Sequence, residues 1–227
     1  MAATTDTAQV WWARPQDANP ALAGLLDDVE RGRWTGYRRD EDRQRFLVGC
    51  SLVKTVVASL TGQDPARVAL DRTCPQCGKP HGKPRLKDGD LELSVSHSGD
   101  RIAVAAMTGY PVGVDVEQIR DTHDRESIAR HVMAETETGD LFVAWTRKEA
   151  VTKATGDGLR VSFKEVVLAD DPPRVVAWPY PAPPESVTLF DLDPGPGYVG
   201  ALAVIGDCDR VVSHDGTDLL AENIGCL

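Results

Sequence analysis

The sequence predicts a mixed α/β protein, because two helical stretches alternate with two groups of short apolar strands. The helices are predicted over residues 40–60 and 141–155, where apolar side chains recur at helical spacing and a glycine follows the last turn. Strands are predicted over residues 91–117 and again after residue 162, where short apolar segments are separated by tight turns. With 227 residues, the chain can form either one compact unit or two fused halves.

The first predicted helix begins with acidic residues and ends before Gly62. Its polar face carries Arg43, Arg45 and Lys54. The following segment, residues 72–90, is rich in glycine, proline and basic side chains. We therefore expect a positively charged loop there, made of turns and without a regular element.

Three neighbouring strands are predicted next, with the sequences LELSVSHS, RIAVAAM and VGVDVE, separated by a Gly99-Asp100 turn and a break at residues 109–111. A short helix is predicted from Ser127 to Met133, before the longer helix that ends at Gly156. Beyond residue 162, five apolar segments between proline- and glycine-rich turns predict a second group of strands.

The composition excludes several classes of protein. A formal net charge of -10 argues against general nucleic-acid binding, because phosphate backbones select basic surfaces. No apolar run is long enough to cross a bilayer, and the first residues lack the pattern of a secretory signal. The five cysteines, among them Cys50, Cys208 and Cys226, follow no disulfide framework. We expect a cytoplasmic protein with reduced thiols, in which a bound anion meets a local basic patch or a metal ion.

Asp115 and Glu117 stand two residues apart in an apolar strand pattern, so both carboxylates project from one face of the strand. An exposed edge strand would explain a lone pair of this kind. The flanking Val112, Val114 and Val116 instead indicate a buried element, where two like charges need a cation. Oxygen ligands favour Mg²⁺ or Mn²⁺ over zinc.

The second long helix carries Trp145, Glu149 and Lys153 at intervals of four residues, which places them on one face. In isolation, a solvated salt bridge explains the charged pair. Beside Asp115 and Glu117, the same face offers a third carboxylate for a metal ion and a lysine for phosphate. This combination is typical of phosphoryl transfer, in which positioning and charge neutralisation provide most of the catalysis.

Two other clusters are weaker signals. Ser96 and His97 are adjacent on a strand and point to opposite faces, which argues against a hydrolase triad, although a histidine at a strand end can donate a hydrogen bond to phosphate. Cys74, Cys77 and His81 resemble half of a zinc site. Because no second pair completes that site in the sequence, we expect a reduced, turn-rich loop and keep zinc as the alternative.

Four blocks, taken in order, resemble the Sfp-type phosphopantetheinyl transferases: GKP at 82–84, SVSHS at 94–98, VGVDVE at 112–117 and WTRKEAVTKATGDGL at 145–159. The resemblance implies an α+β fold of two pseudo-symmetric halves, residues 1–109 and 110–227, each a helix packed on a small antiparallel sheet. Coenzyme A would bind in the cleft between the halves. The N-terminal half would bind the nucleotide, and the C-terminal half would carry the metal site and the catalytic helix.

The resemblance also implies a role for each candidate residue. The Mg²⁺ ligands, with Mn²⁺ as an alternative ion, would be Asp115, Glu117 and Glu149. Contacts to the pyrophosphate would come from Lys153 and His97, contacts to the coenzyme from Lys83 and Ser96, and contacts to the 3′-phosphate from Arg45 and Arg33. The base would be Glu149 or a metal-bound water, with Glu137 as a further acidic candidate. Cys50 stands where the family often has a basic residue.

The implied reaction moves the phosphopantetheine arm of coenzyme A to a serine of an acyl or peptidyl carrier protein and releases adenosine 3′,5′-bisphosphate. A monomer is expected, since the two halves supply both sides of the cleft. Two alternatives remain at this stage: a noncatalytic module that binds coenzyme A or carrier proteins, and a metal-dependent hydrolase of the coenzyme A pyrophosphate. The sequence leaves open whether the carrier serves fatty-acid, polyketide or nonribosomal peptide synthesis, and whether free or acylated coenzyme A is preferred.

Overall fold

A computed structural model describes residues 7–120, 124–179 and 186–224. Two sheets, a short hairpin and five α-helices form the described fold. The helices are α1 (Asp28–Gly36), α2 (Asp40–Thr61), α3 (Arg125–Val132), α4 (Leu141–Thr155) and α5 (Gly216–Ile224). The strands are β1 (Thr7–Ala13), β2 (Leu70–Thr73), β3 (Pro80–Leu86), β4 (Leu91–Ser98), β5 (Arg101–Thr108), β6 (Val112–Gln118), β7 (Val167–Asp170), β8 (Pro173–Ala177), β9 (Val187–Leu192), β10 (Tyr198–Ile205) and β11 (Arg210–Asp215). The predicted mixture of helices and strands is confirmed.

The larger sheet has six strands in the order β11-β1-β5-β4-β3-β2. Helix α2 packs on this sheet through one apolar face, and Val53, Val56 and Ile102 are fully buried in the shared core. Gly62 ends α2 in the left-handed conformation, with φ of +73°, which glycine adopts without a steric penalty. The helix predicted over residues 40–60 is therefore confirmed, including its C-terminal glycine.

The smaller sheet is antiparallel, in the order β6-β10-β9, and α4 packs across it. Gly113 allows this close packing, because a Cβ atom there would collide with the backbone oxygen of Ala150 on α4. Val112, Val114 and Val116 are fully buried between the two sheets. Strand β6 is thus covered on both faces, as its valines predicted, and α4 lies directly against the strand that carries Asp115.

One segment of the N-terminal region differs from the sequence prediction. The segment 72–90 was expected to lack regular structure, but it contains the end of β2 and all of β3. Strand β2 lies at the edge of the sheet and β3 lies between β2 and β4. Pro80 is the first residue of β3, a position at which proline is tolerated in a strand. Strands β2 and β3 pair with a register shift between Asp71 and Thr73, an irregularity that hides the strand pattern in the sequence.

The C-terminal end of the chain returns to the larger sheet. Strand β11 pairs with β1 in parallel, and α5 packs against α2. The larger sheet is therefore not wholly antiparallel, and residues 210–224 pack against β1 and α2 near the other end of the chain. Pairing between strands about 200 residues apart in sequence leaves no local pattern that could reveal it.

No helix in the described ranges is long and apolar enough to cross a membrane. Four cysteines, Cys50, Cys74, Cys77 and Cys208, carry no disulfide bond. Cys226 lies outside the described residues.

Candidate active site

A cavity of about 830 Å³ opens where the two sheets meet. One wall comes from β6 and α4 and carries the predicted acidic residues and lysine. The facing wall comes from α1, α2 and the β2–β3 region and carries basic side chains. The lining includes all but one of the predicted site residues: Arg33, Arg45, Lys83, Ser96, His97, Asp115, Glu117, Glu149 and Lys153.

Three serines of β4 connect the two sheets across this cavity. Ser94, Ser96 and Ser98 alternate along the strand, so their hydroxyl groups share one face. Each hydroxyl accepts a hydrogen bond from a backbone N–H of β6, at Val114, Val116 and Gln118, over 3.0–3.4 Å. The two sheets are therefore held in register by side chains, because β4 and β6 belong to different hydrogen-bonded sheets.

The same serines orient the acidic side chains of β6. Ser96 donates to Oδ1 of Asp115 at 2.7 Å, and Ser98 donates to Oε2 of Glu117 at 2.7 Å. Ser96 and Ser98 thus each accept from the β6 backbone and donate to a β6 carboxylate, whereas Ser94 only accepts. This fixes both carboxylates toward the cavity, and it occupies the hydroxyl of Ser96, which was predicted to bind the coenzyme.

Asp115 has a cationic partner on one oxygen only. Lys153 approaches Oδ1 of Asp115 to 2.6 Å and the hydroxyl oxygen of Ser96 to 3.0 Å. The second oxygen, Oδ2, is buried and has no hydrogen-bond partner among the described residues. An unpaired buried carboxylate oxygen is unfavourable, so a cation at this position would satisfy it.

The surroundings of Glu117 and Glu149 also disfavour the ionised form of each carboxyl group. Burial is the main reason that the pKa of each carboxyl is raised, and the negative charge of Asp115 contributes in both cases. Within the described ranges, the Glu149 carboxylate has no hydrogen-bond or salt-bridge partner. Three carboxylates that gain so little from the protein itself are suited to a divalent cation with oxygen ligands.

The three carboxylates are not drawn together to metal-ligand spacing. Among the described residues, the group whose ligand atoms all lie within 4.8 Å of one another is Cys74, Cys77 and His81. Like charges separate when no cation joins them, and Lys153 already occupies one oxygen of Asp115. The residue types, the orphaned Oδ2 and the shared cavity fit a magnesium ion, which would require the three carboxylates to come closer together.

Basic side chains on the facing wall are held in place by backbone carbonyls. Arg45 donates to the carbonyl of Gly99 from Nε and Nη2, at 3.2 and 3.0 Å, and Arg33 donates to the carbonyl of Pro80 at 2.8 Å. Lys83 lies 3.0 Å from a carboxylate oxygen of Glu92, and burial lowers its pKa. This wall gathers positive side chains in a chain whose overall charge is negative.

His97 and Cys50 are uncharged in this environment. The His97 ring faces the cavity, and desolvation by the surrounding protein, followed by the charge of Arg45, lowers its pKa. Burial raises the pKa of the Cys50 thiol to about 12, so Cys50 cannot replace a basic residue at this wall. His97 can donate a neutral hydrogen bond from its ring.

Comparison with known proteins identifies the family. The family model described as "4'-phosphopantetheinyl transferase, N-terminal" matches residues 9–109, and the model described as "4'-phosphopantetheinyl transferase superfamily" matches residues 111–186. The 4'-phosphopantetheinyl transferase HetI of Nostoc sp. is 30% identical over 210 residues, which cover 85% of this chain and 84% of that protein. The chain belongs to the Sfp-type 4'-phosphopantetheinyl transferases.

Further relatives support the assignment. The 4'-phosphopantetheinyl transferase of Bacillus subtilis is 30% identical over 81% of this chain and 86% of its own length. The 4'-phosphopantetheinyl transferase gsp of Aneurinibacillus migulanus is 28% identical over 78% of this chain and 75% of its own length. The protein is therefore a phosphopantetheinyl transferase, in a family that generally uses Mg²⁺ and coenzyme A and acts on carrier proteins.

Glu137 is the predicted site residue that the structure does not bring to the cavity of this transferase. Its carboxylate forms an ion pair with the fully buried Lys148 and accepts hydrogen bonds from the backbone N–H groups of Ala134 and Leu168. These contacts join the segment after α3 to α4 and β7. We expect a structural role for Glu137, because both of its carboxylate oxygens already have partners in the protein.

The serines at every second position of β4 are a functional signal that the sequence contains but that was interpreted incompletely. The SVSHS block was read as a coenzyme contact, although serines at every second position of a strand also predict one polar face. That face contacts β6 here, and Ser94 and Ser98 belong to the site as positioning residues. The spacing of two in SVSHS and in VDVE is the feature that could have shown it.

Proposed function

We propose that this transferase binds coenzyme A in the cavity between the two sheets, with the pyrophosphate against β6 and α4 and the nucleotide against the basic wall. The proposal includes a pseudo-symmetric relation between the two halves of the fold, in which α2 packs on the larger sheet and α4 on the smaller sheet. The observation that carries it is the meeting, in one cavity, of three underpartnered carboxylates with Lys153 on one side and Arg33 and Arg45 on the other. That arrangement matches a polyanion and a divalent cation bound together.

Asp115, Glu117 and Glu149 would hold the magnesium ion. When bound, Mg²⁺ supplies positive charge that neutralises the pyrophosphate oxygens. Lys153 would contribute from the protein side: an ammonium group has three donors, and contacts with Asp115 and Ser96 account for two of them. The third donor is available to a phosphate oxygen. His97 would add a neutral ring donor to the same group.

The chemical step we propose is attack of the carrier serine hydroxyl on the β-phosphorus of coenzyme A. A new serine O–P bond forms as the bond to the leaving phosphate oxygen breaks, which releases adenosine 3′,5′-bisphosphate. Glu149 would accept the serine proton through the carboxylate oxygen that does not bind Mg²⁺, because that carboxylate has no protein partner among the described residues. The acceptor would be an acyl or peptidyl carrier protein.

The test is intact-protein mass spectrometry of apo carrier proteins incubated with the transferase, coenzyme A and MgCl₂. We expect a mass gain equal to one phosphopantetheine arm per carrier and no gain in EDTA. Carriers from fatty-acid, polyketide and nonribosomal peptide systems assayed in parallel rank the acceptors. A folded protein that binds coenzyme A without modifying any carrier would contradict the proposal, and release of free phosphopantetheine would indicate a hydrolase.

Lys83 provides a separate test of the coenzyme position. Its ammonium group lies between Glu92 and the carbonyl oxygen of Ala154, at the edge of the basic wall. Lys83→Met keeps the length of the side chain and removes the charge. We expect coenzyme A to bind about ten- to a hundredfold more weakly by isothermal titration calorimetry, since one charge-assisted hydrogen bond is worth roughly 1.5–3 kcal/mol.

The matched control is Lys87→Met, because Lys87 is an exposed lysine just beyond β3 and outside the cavity lining. Equal affinities for the Lys83 variant and the wild type would remove Lys83 from the binding site.

A further inference from the structure

The loop between β2 and β3, together with the second residue of β3, carries a compact set of metal-binding side chains outside the carboxylate site. The Sγ atoms of Cys74 and Cys77 and a ring nitrogen of His81 all lie within 4.8 Å of one another. In a tetrahedral zinc site, bond lengths of about 2.0–2.3 Å place neighbouring ligand atoms roughly 3.5–3.8 Å apart. The three side chains are therefore near the required spacing without any change in the backbone.

The backbone of this loop forms a closed turn between Cys74 and Lys79. The turn is closed by a hydrogen bond from Gly78 N–H to the Cys74 carbonyl and one from Cys74 N–H to the Lys79 carbonyl, each 2.9 Å. Gly78 has φ of +68°, which allows the chain to reverse just after the second cysteine.

Cys77 and His81 are at hydrogen-bond distance, with Sγ and Nε2 2.9 Å apart. Placing a metal ion between them requires an opening of about 0.7 Å, which is within the reach of side-chain rotation on an exposed loop. Both residues are exposed, and Cys74 is half-buried. The ion therefore has a path from solvent, and neither ligand has to leave a packed core.

We propose that Cys74, Cys77 and His81 bind a zinc ion, as a site separate from the carboxylates that serve catalysis. Two thiolates and an imidazole are soft and borderline ligands, which select Zn²⁺ and reject Mg²⁺. No fourth side chain joins the group among the described residues, so water or another small ligand completes the coordination. Such a site differs from a closed structural site by keeping one open position.

The location of the loop gives the zinc ion a role at the rim of the cavity. Cys74 and His81 line the cavity next to Gly82 and Lys83. Strand β3, which follows the loop, is attached to β4 through the Arg85–Glu92 pairing. Zinc would tie the start of β3 to the end of β2 and so hold Lys83 at the coenzyme site.

The first experiment measures metal content directly. The purified full-length protein, kept reduced, is equilibrated with limiting Zn²⁺, freed of unbound metal and analysed by elemental mass spectrometry. We expect about one zinc per chain. Titration with Co²⁺ as a probe should produce thiolate-to-cobalt charge-transfer absorption in the near ultraviolet and visible bands of a tetrahedral site. These readouts do not depend on transfer activity.

The variants Cys77→Ser and His81→Ala should bind zinc more than about a hundredfold more weakly, because loss of a ligand exceeds the 10–100-fold effect of losing an outer-shell partner. Cys208→Ser and His131→Ala are the matched controls. Cys208 lies in the core between the sheets, and His131 is exposed on α3. Both controls should bind zinc like the wild type.

Three results would overturn the proposal. The first is a reduced protein that binds no zinc, and the second is zinc binding unchanged in both ligand variants. The third is a Cys74–Cys77 disulfide that forms in the presence of zinc and reductant. None of these results would affect the Mg²⁺-dependent transfer assay, so the zinc site and the transferase mechanism are tested independently.

Discussion

Asp115→Asn is expected to reduce phosphopantetheinyl transfer by about a thousandfold. Asp115 is the carboxylate with a buried, unpartnered oxygen, and it also positions Lys153. Metal ions stabilise transition-state charge by several kcal/mol, and each 1.36 kcal/mol corresponds to tenfold in rate. The measurement is kcat/KM for formation of holo carrier protein at saturating MgCl₂, with circular dichroism of the same samples to show that the variant is folded.

Asp191→Asn is the matched control for this prediction. Asp191 lies on β9, and both Asp191 and Asp115 are paired with Ala201 of β10, so the two aspartates occupy the same row of the smaller sheet. Asp191 forms its ion pair with Arg147, away from the cavity lining. We expect nearly wild-type transfer. Equal losses in both variants would mean that the sheet needs the charge for folding and that Asp115 has no specific role.

Glu117 and Glu149 also destabilise the metal-free fold, which supports a functional role for these two carboxylates. Burial raises the pKa values of Glu117 and Glu149 above those of the unfolded chain. The folded state then binds protons more tightly, so the metal-free protein gains stability as the pH falls through these raised values and loses it at neutral pH. A cation bound by Glu117 and Glu149 would explain why the protein has charged groups that destabilise its fold.

Much of the site could be predicted because its residues lie on regular elements. The spacing of two in β6 and of four in α4 defines which side chains share a face, and burial of β6 follows from its valines. Asp115, Glu149 and Lys153 therefore line one cavity, as predicted. The helix boundaries of α2 and α4 were readable because each ends at a left-handed glycine.

The features that escaped prediction depend on contacts between distant segments. Strand β11 joins the larger sheet through β1, which lies at the other end of the chain. Strand β3 forms from a segment rich in glycine and proline, because the neighbouring strands β2 and β4 supply its hydrogen bonds. The serines of β4 take their roles from the backbone of a strand in the other sheet. None of these pairings leaves a periodic signal in the local sequence.

Glu137→Ala separates a structural role from a catalytic one. Lys148 is fully buried, and its ammonium group contacts Glu137 and the carbonyl oxygens of Val132 and Phe163. Removing the carboxylate leaves a buried charge without its counter-ion, which typically costs about 3–5 kcal/mol. We expect that loss in the free energy of unfolding measured in urea, while transfer per folded molecule stays close to that of the wild type.

The free energy of unfolding of the Glu137→Ala variant should also depend on pH in a defined direction. Burial lowers the pKa of Lys148 even with Glu137 present, and loss of the carboxylate lowers it further. The folded variant then binds fewer protons than the unfolded chain, so its stability rises with pH and the deficit relative to wild type shrinks. Adding Lys148→Met should recover part of the loss, since an apolar side chain of similar length removes the unpaired charge. A variant that keeps its stability but loses its transfer rate would instead make Glu137 the catalytic base.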